Sequence, residues 1–300
     1  MKEGKPSWTA EGSAAFRAFE SLKPEDERVC YDPYAKDFLG IIYSIIYRVM
    51  CMSRILRKIV LWVFEQMPPG SIGTVAACHT CVDDYLSACI DDGIEQMVNL
   101  GAGYDSRAYR FDALKRRVKV FEVDDAATQA RKMEKLKKIF GSLPDNVVYV
   151  PIDFTRDKLG SRLFESGYDA NLKTLFIWEA VTMYITAEAV DETLEFIAKN
   201  SGEGSSVTFD YIIPSVVDGT CKLKGAKEWR RNVRRFGEPF TFGIEDGAIY
   251  EFLSKRGFHQ VETITGDLLK STYYKGVNQN REIQRFHGHV HATVKPRKTA

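Results

Sequence analysis

From residue 95 onward, the chain alternates short apolar runs rich in β-branched residues with longer amphipathic stretches. Seven apolar runs are predicted strands, at 96–100, 118–123, 147–152, 174–179, 206–212, 260–264 and 289–294. Helices are predicted between them at about 105–115, 125–140, 187–200, 226–235 and 245–256, with Gly141, Gly202 and Gly257 marking helix ends. Because strands separated by helices pair in parallel, we expect an α/β fold with helices on both faces of a mostly parallel sheet. The last strand is expected to be antiparallel and at the sheet edge.

Residues 1–94 are expected to form a helical cap that is integrated with the core at 95–300 as one structural unit. The segment "MPPGS" (67–71) predicts a break between helices. The stretch "HTCVDDYLSACIDDG" then predicts a helix capped by Thr80, with Asp83 three residues later and Gly93 closing its end.

The most apolar part of the chain is residues 38–64, which contain four basic residues, Arg48, Arg54, Arg57 and Lys58. A membrane-spanning helix needs about 20 nearly uncharged residues, so we do not predict a span. One or two apolar helices with a basic edge remain. They can form a buried cap, a lid over an apolar substrate, or a surface helix that touches a membrane.

The composition excludes some classes of protein but does not identify one. Hydrophobic residues make up 44% and charged residues 28% of the chain, which are ordinary values for a globular protein. The net charge of +1 gives no general attraction to nucleic acid, and the basic clusters at 114–119 and 227–235 are interpreted as solvated helix faces. The first residues lack the apolar core of a secretory signal, so we expect a cytoplasmic protein.

Two of the six cysteines, Cys78 and Cys81, form a C-x-x-C pair. No second C-x-x-C accompanies them, and the remaining histidines outside the pair lie far away in sequence, whereas a structural zinc site usually shows four ligands with recognisable spacing. A redox dithiol would follow a strand, but this pair precedes a predicted helix. We therefore expect neither a metal nor a redox site, and no disulfides in a reducing cytosol.

The turn Gly101-Ala102-Gly103 follows a predicted strand and opens a predicted helix. Glycines at such a turn tolerate positive φ and allow a ligand to approach the backbone closely. The third glycine of the dinucleotide fingerprint is replaced by Ser106, and the charge of Asp105 would repel a phosphate. A nicotinamide dehydrogenase is therefore disfavoured.

Acidic residues follow the next three strands. Asp124 can accept hydrogen bonds from both ribose hydroxyls, Asp153 can accept the adenine amino group while Phe154 flanks the ring, and Glu179 can bind an ammonium group. Any one of these acids alone is more simply read as a helix cap or a loop residue. Together with the glycine turn, they indicate a nucleoside ligand without a pyrophosphate, such as S-adenosylmethionine.

The segments "DPYA" (32–35), "DDYL", "IDDGIEQMVNLGAGYDSRAYRF", "FEVDD", "IDF" and "WEAVTMYI" resemble those of the leucine carboxyl methyltransferase family, which includes polyketide O-methyltransferases. The resemblance covers roughly residues 10–215. It implies a class I methyltransferase with a seven-stranded Rossmann-like sheet and a helical N-terminal cap. It also implies cofactor contacts by Gly101, Asp124, Asp153, Phe154 and Glu179, with the adjoining Ala102 and Gly103 in the same turn.

One position departs from the family pattern. Relatives usually carry an arginine before the "iDd" motif, and it pairs with the carboxylate of the cofactor's methionine; here Cys78 occupies the aligned position. A thiol cannot form that bidentate pair. Arg17, Arg107 and His79 are candidates to replace it, and a shifted alignment or a loss of activity is the alternative.

The predicted reaction is O-methylation, on a carboxylate or a hydroxyl, of a small and partly apolar metabolite. Tyr184 and Arg17 are the candidate catalytic residues, with Tyr211 as a further pocket residue, and Arg17 can orient an acidic acceptor if the cap folds over the site. Three alternatives stay open: methylation of a protein C-terminal carboxylate, S-methylation of a small thiol, and an inactive protein that binds the cofactor for an interaction. Neither the oligomeric state nor the acceptor follows from the sequence.

Overall fold

A computed structural model of the protein describes residues 7–66, 68–153 and 157–296. Each predicted strand is present, with ends that differ from the prediction by two residues or fewer. The strands are β1 (Gln96–Leu100), β2 (Lys119–Asp124), β3 (Val147–Pro151), β4 (Thr174–Trp178), β5 (Ser206–Ile212), β6 (Phe258–Thr265) and β7 (His287–Val294). The predicted α/β fold with a seven-stranded, mostly parallel sheet is confirmed.

The strands form one sheet in the order β3-β2-β1-β4-β5-β7-β6. Pairs β1–β2, β2–β3, β1–β4 and β4–β5 are parallel. The chain moves outward from β1 through β2 to β3 and then returns to β4 on the other side of β1. In open α/β sheets this reversal of strand order creates a ligand crevice at the carboxyl ends of the strands.

The predicted position of the last strand is wrong, although its direction is right. β7 runs antiparallel but lies between β5 and β6, so β6 is the edge strand. The physical reason is burial: β7 is buried along most of its length, whereas β6 exposes Gln260, Glu262 and Thr263 to solvent. A strand with polar side chains in contact with water suits a sheet edge better than its interior.

Helices cover both faces of the sheet. Those in the described part of the chain are α1 (Trp8–Ser21), α2 (Ile41–Met52), α3 (Arg54–Glu65), α4 (Ser71–Asp91), α5 (Arg107–Arg110), α6 (Asp112–Arg117), α7 (Ala126–Phe140), α8 (Leu159–Glu165), α9 (Ala187–Lys199), α10 (Pro214–Asp218), α11 (Ala226–Phe236), α12 (Ile249–Ser254) and α13 (Gly266–Tyr273). Helices α7, α9 and α11 match their predictions closely. The predicted helix at 105–115 is split at Phe111, whose backbone is extended, and the predicted helix at 245–256 is reduced to α12.

Helix α4 begins earlier than its sequence predicted. The prolines at 68–69 and Gly70, whose φ is +76°, end the preceding segment, and α4 starts at the next residue, Ser71. Thr80 is therefore not a helix cap. It lies inside α4, where its hydroxyl donates to the carbonyl of Ala76 at 3.1 Å and lies 2.9 Å from that of Val29. Gly93, with φ of +80°, follows the end of the helix as predicted.

The first three helices pack their inner faces against one another. Their shared cluster contains Phe19, Tyr43 and Met50, with Phe64 packed against it. No helix in the described ranges is both long and apolar enough to cross a membrane. The apolar segment 38–64 contains α2 and most of α3, and the inner faces of these two short helices join the N-terminal helical layer.

Candidate active site

A cavity of about 780 Å³ lies at the carboxyl ends of the parallel strands, where the reversed strand order predicts a ligand crevice. A cavity of this size suits a ligand as large as a nucleoside derivative. Its wall includes eight residues singled out in the sequence: Arg17, Gly101, Ala102, Gly103, Asp124, Asp153, Glu179 and Tyr184. Phe154, predicted to flank an adenine ring, lies outside the described residues.

The glycine turn after β1 has the conformation that its sequence predicted. Gly101 has a φ of +67° and Gly103 a φ of +42°, a region that L-residues rarely occupy. A Cβ atom at position 101 would also overlap the side chain of Val181, from the loop after β4. Gly101 is therefore needed for two reasons, its backbone conformation and the close approach of the neighbouring loop.

Asp124 ends β2 beside this turn. Its carboxylate accepts hydrogen bonds from the backbone N–H of Gly103 and from that of Asp125, the latter at 2.6 Å. Burial raises the pKa of Asp124 to about 6 despite these bonds. At neutral pH the group is thus mostly ionised, and its oxygens can accept hydrogen bonds from hydroxyl groups in the cavity.

Glu179 follows β4 and is paired with the buried Arg107. The guanidinium of Arg107 donates to Glu179 at 2.7 Å, to Asp83 at 2.7 Å and also to Asp105. Burial alone would raise the pKa of Glu179, but Arg107 outweighs it and His79 adds to the effect, so the pKa lies well below the usual range. Glu179 is therefore ionised on the cavity wall. Arg107 shares its charge among three carboxylates, so Glu179 can still attract a cation.

The structure separates the three basic candidates for the missing family arginine. Arg107 and His79 are enclosed in the network around Glu179, and burial lowers the pKa of His79 so that it is neutral at pH 7. Arg17 lines the cavity instead, where its Nε donates to Asp32 at 3.1 Å and its Nη2 to the carbonyl of Tyr104 at 2.7 Å. Cys78 also lines the cavity, and burial raises the pKa of its thiol well above 9, so it is uncharged.

The cavity is strongly acidic. Among the described residues of its wall, Arg17 is the one lysine or arginine, and it faces seven acidic residues: Asp105, Asp124, Asp125, Asp153, Glu179, Asp210 and Glu238. Such a wall favours a cationic ligand and opposes a phosphate. The acidic wall therefore supports the sequence argument, made from Asp105 and Ser106, against a dinucleotide ligand.

Asp210 and His287 are two further residues of the cavity wall that were not predicted from the sequence. Asp210 belongs to β5, and His287 begins β7; because β7 is antiparallel, its first residue lies at the same edge as the ends of the parallel strands. His287 Nδ1 lies 4.0 Å from Asp210 Oδ2, and both residues line the cavity. A carboxylate within the apolar run "SVTFDYI" was the signal available in the sequence.

The pKa values of Asp210 and His287 are shifted in opposite directions by their surroundings. Burial, with the nearby charge of Glu179, raises the pKa of Asp210 to about 7 even though Asp210 accepts a hydrogen bond from Ala180 N–H at 2.6 Å. Burial lowers the pKa of His287 to about 3, and neither ring nitrogen has a hydrogen-bond partner among the described residues. Ala180 adopts a φ of +59°, a strained backbone of the kind found at functional sites.

Aromatic side chains form another part of the wall. Tyr184 packs against Phe240 with ring centroids 5.4 Å apart, and Trp229 stacks on His287 at 4.8 Å. Burial raises the pKa of Tyr184 well above its usual value, so the phenol is neutral at pH 7. Tyr211 does not line the cavity; its ring lies over Gly288 in the neighbouring strand, where a Cβ would overlap it.

The start of α1 closes one side of the cavity. Thr9 N–H donates to Glu238 at 3.1 Å, and Trp8 stacks on Phe236 with centroids 3.4 Å apart. Trp8, Thr9 and Glu238 all line the cavity. The N-terminal helix is thus part of the site.

Cys78 and Cys81 of the C-x-x-C pair lie within α4, and both are buried. All six cysteines are free thiols, and no group of three or more His, Cys, Asp or Glu side chains among the described residues has the arrangement of a metal site. Burial raises the pKa of Cys81 to about 12, so it is protonated at neutral pH, as is Cys78. Protonated thiols are poor nucleophiles and poor metal ligands.

The sheet order and the glycine turn are those of the Rossmann-like fold of class I methyltransferases. The family model for leucine carboxyl methyltransferases matches residues 10–198. The chain belongs to the leucine carboxyl methyltransferase family, which confirms the resemblance noted in the sequence. It is therefore an enzyme that uses S-adenosylmethionine as its methyl donor.

Individual relatives agree with this assignment. A Bacillus subtilis protein, YktD, named as a candidate S-adenosyl-L-methionine-dependent methyltransferase, is 25% identical over 311 residues, covering 98% of this chain and all of YktD. A Mycolicibacterium paratuberculosis protein named in the same way is 29% identical over 236 residues, covering 76% of this chain and 70% of its own. A crystal structure of a candidate methyltransferase from Thermobifida fusca shares the fold, with a TM-score of 0.57, 11% identity, and coverage of 98% and 97% of the two chains.

Proposed function

We propose that this enzyme methylates an oxygen atom, of a carboxylate or a hydroxyl, on a small and partly apolar metabolite. The observation that carries the proposal is the contrast within one cavity. Acidic side chains stand at or just after the ends of strands β2 to β4. Aromatic side chains come from the cap, from the segment after β4, from α11 and from the segment after α11: Phe16, Tyr43, Phe64, Tyr184, Trp229 and Phe240. The acidic part suits the cationic methyl donor, and the aromatic part suits an apolar acceptor.

The residues of the acidic part fit S-adenosylmethionine, which supplies an electrophilic methyl group on its sulfonium sulfur when bound. Asp124 would accept its ribose hydroxyls, Asp153 its adenine amino group, and Glu179 its ammonium. Arg17 would hold its carboxylate, because Arg17 is the cation on the cavity wall while Arg107 is surrounded by acids. This role for Arg17 competes with the role first predicted, which was to orient an acidic acceptor.

Asp210 supports a hydroxyl acceptor in addition to a carboxylate. A carboxylate is already a nucleophile, whereas a hydroxyl must lose a proton. A group with a pKa of about 7 is suited to accept that proton at neutral pH, and Asp210 has this value. Tyr184 stays neutral and can donate a hydrogen bond to the acceptor from the aromatic wall.

The proposal is tested with labelled S-adenosylmethionine and a panel of acceptors matched in size. The panel holds apolar carboxylic acids, phenols and alcohols, thiols, and a peptide with a C-terminal leucine carboxylate. We expect label on the small oxygen acceptors. Label on thiols alone, or on the peptide alone, would replace the proposed acceptor class. If no acceptor is labelled although calorimetry shows cofactor binding, the interpretation as an inactive binding protein is favoured.

Arg17→Gln separates the two roles proposed for Arg17. If Arg17 holds the cofactor's carboxylate, the loss of one charge-assisted hydrogen bond raises the Kd for S-adenosylmethionine roughly tenfold. If Arg17 orients the acceptor, the KM of the acceptor rises instead and the Kd stays unchanged. Calorimetry measures the first quantity and initial rates the second. Arg17→Lys is the matched control, because it keeps the charge and shows how much of the effect comes from the bonds to Asp32 and Tyr104.

A further inference from the structure

The outer face of α2 and α3 exposes large apolar side chains. Ile41, Ile45 and Met52 recur along one side of α2, and Ile41 and Met52 are 81% and 76% exposed. Ile55, Ile59 and Trp62 recur in the same way along α3, and Trp62 is 64% exposed. Contiguous exposed apolar surface of this kind marks an interaction site. We call this surface the α2–α3 face.

The charge of the α2–α3 face has one sign. The segment from Ile41 to Phe64 contains four basic residues and no aspartate or glutamate. Arg57 points inward, where it donates to the carbonyl of Leu22. Arg48, Arg54 and Lys58 are exposed and form no ion pair with another described residue. The face therefore combines apolar side chains with three exposed cations that have no ion-pair partner in the described part of the chain.

We propose that the α2–α3 face docks on the surface of an anionic lipid membrane. Apolar side chains on one side of a short helix, with a tryptophan and flanking lysine and arginine residues, are what an interfacial helix presents to lipid. Anionic headgroups supply the negative charge that the three cations lack. A second copy of the chain fits less well, because a symmetric dimer through this face would bring its cations together without any acid in the segment to pair them.

The inner side of the same two helices belongs to the cavity. Tyr43 of α2 and Phe64 of α3 line it, opposite the faces that would touch lipid. Docking would thus hold the apolar part of the cavity beside the membrane, so that an amphiphilic acceptor dissolved in the lipid can reach it. This last step rests on the proposed function, whereas docking itself does not.

The test is sedimentation of the 300-residue protein with vesicles. We expect binding to vesicles of phosphatidylcholine and phosphatidylglycerol in equal parts, weak binding to phosphatidylcholine alone, and weaker binding to the mixed vesicles as salt is raised. Ile45→Ser and Trp62→Ser are each expected to lower the partition coefficient roughly tenfold. The double variant R54Q/K58Q is expected to lower it roughly 30-fold on mixed vesicles.

Val277→Ser and Tyr250→Ser are the matched controls, because both are large exposed apolar or aromatic residues that lie outside α2 and α3. They are expected to leave vesicle binding unchanged, and calorimetry with S-adenosylmethionine shows that each variant is folded. Equal binding by Trp62→Ser and the wild type would overturn the proposal. So would absence of vesicle binding together with a dimer, seen by ultracentrifugation, that Trp62→Ser disrupts; that result would assign the face to a second copy. Methyl transfer is measured separately, so failure of docking and failure of the proposed function give different results.

Discussion

Arg107→Leu is expected to lower the free energy of unfolding by about 3–5 kcal/mol, the usual cost of removing one partner from a buried ion network. The side chain of Arg107 has no solvent exposure, and it donates hydrogen bonds to Asp83, Asp105 and Glu179. Without its charge, these carboxylates would repel one another in a poorly solvated place. Urea unfolding at neutral pH, followed by circular dichroism, measures the change.

Two other arginine variants give reference values for the loss of unfolding free energy expected of Arg107→Leu. Arg256→Leu removes a surface ion pair with Asp191, so a loss of 1 kcal/mol or less is expected. Arg107→Lys keeps the charge but cannot reproduce the planar set of donors, and an intermediate loss is expected. If Arg107→Leu lowers the free energy of unfolding by no more than Arg256→Leu does, the network does not stabilise the fold.

The same network predicts how the effect of Arg107→Leu on the free energy of unfolding depends on pH. The pKa values of Asp83, Asp105 and Glu179 are all lowered in the folded protein, because the effect of Arg107 outweighs burial. Depressed carboxylate pKa values stabilise the fold above the unfolded value of about 4, and this contribution is lost as the pH falls below it. The difference between wild type and Arg107→Leu should therefore narrow in acid. A difference that stays constant from neutral pH down to about pH 2 would contradict the assignment.

Helices and strands were predictable where the local sequence pattern agrees with the burial of the segment in the fold. β1 is an uninterrupted apolar run that is buried on both faces of a parallel sheet, and α7 shows a helical pattern closed by Gly141. The order of β6 and β7 was not predictable in this way, because it depends on pairing between distant segments. The start of α4 was misplaced because Thr80 has the residue type of a cap, whereas the turn at Gly70 decides where the helix begins.

The candidate site was predictable where a residue stands at the end of a strand or shortly after it. The glycine turn, Asp124, Asp153 and Glu179 all stand at such positions, and topology alone brings them to one edge. Asp210 and His287 could not be found in this way, since their proximity depends on an antiparallel strand inserted beside β5. The burial of Arg107 was equally hidden, because its partners come from three separate parts of the chain.

Asp124→Ala is expected to raise the Kd for S-adenosylmethionine on the order of 100-fold. The variant loses two hydrogen bonds from ribose hydroxyls to a charged acceptor, each worth about 1.5 kcal/mol or more. The pKa of Asp124 is raised to about 6 by burial, so protonation removes the charged acceptor as the pH falls below that value. Affinity in the wild type should therefore fall about tenfold for each pH unit below 6. Calorimetry between pH 5 and 8 measures both effects.

Two further variants show whether Asp124 acts through its charge. Asp124→Asn keeps an oxygen that can accept one of the backbone N–H groups of Gly103 and Asp125, and it should lose both affinity and the pH step near 6. Asp125→Ala removes the cap of α7, where Asp125 accepts from Ala127 N–H at 2.9 Å, so stability should fall by about 1 kcal/mol with little change in affinity. If Asp125→Ala weakens binding and Asp124→Ala does not, the ribose contact belongs to Asp125. Because the two carboxylates are neighbours in the same wall, this comparison assigns the contact to one of them independently of any effect on folding.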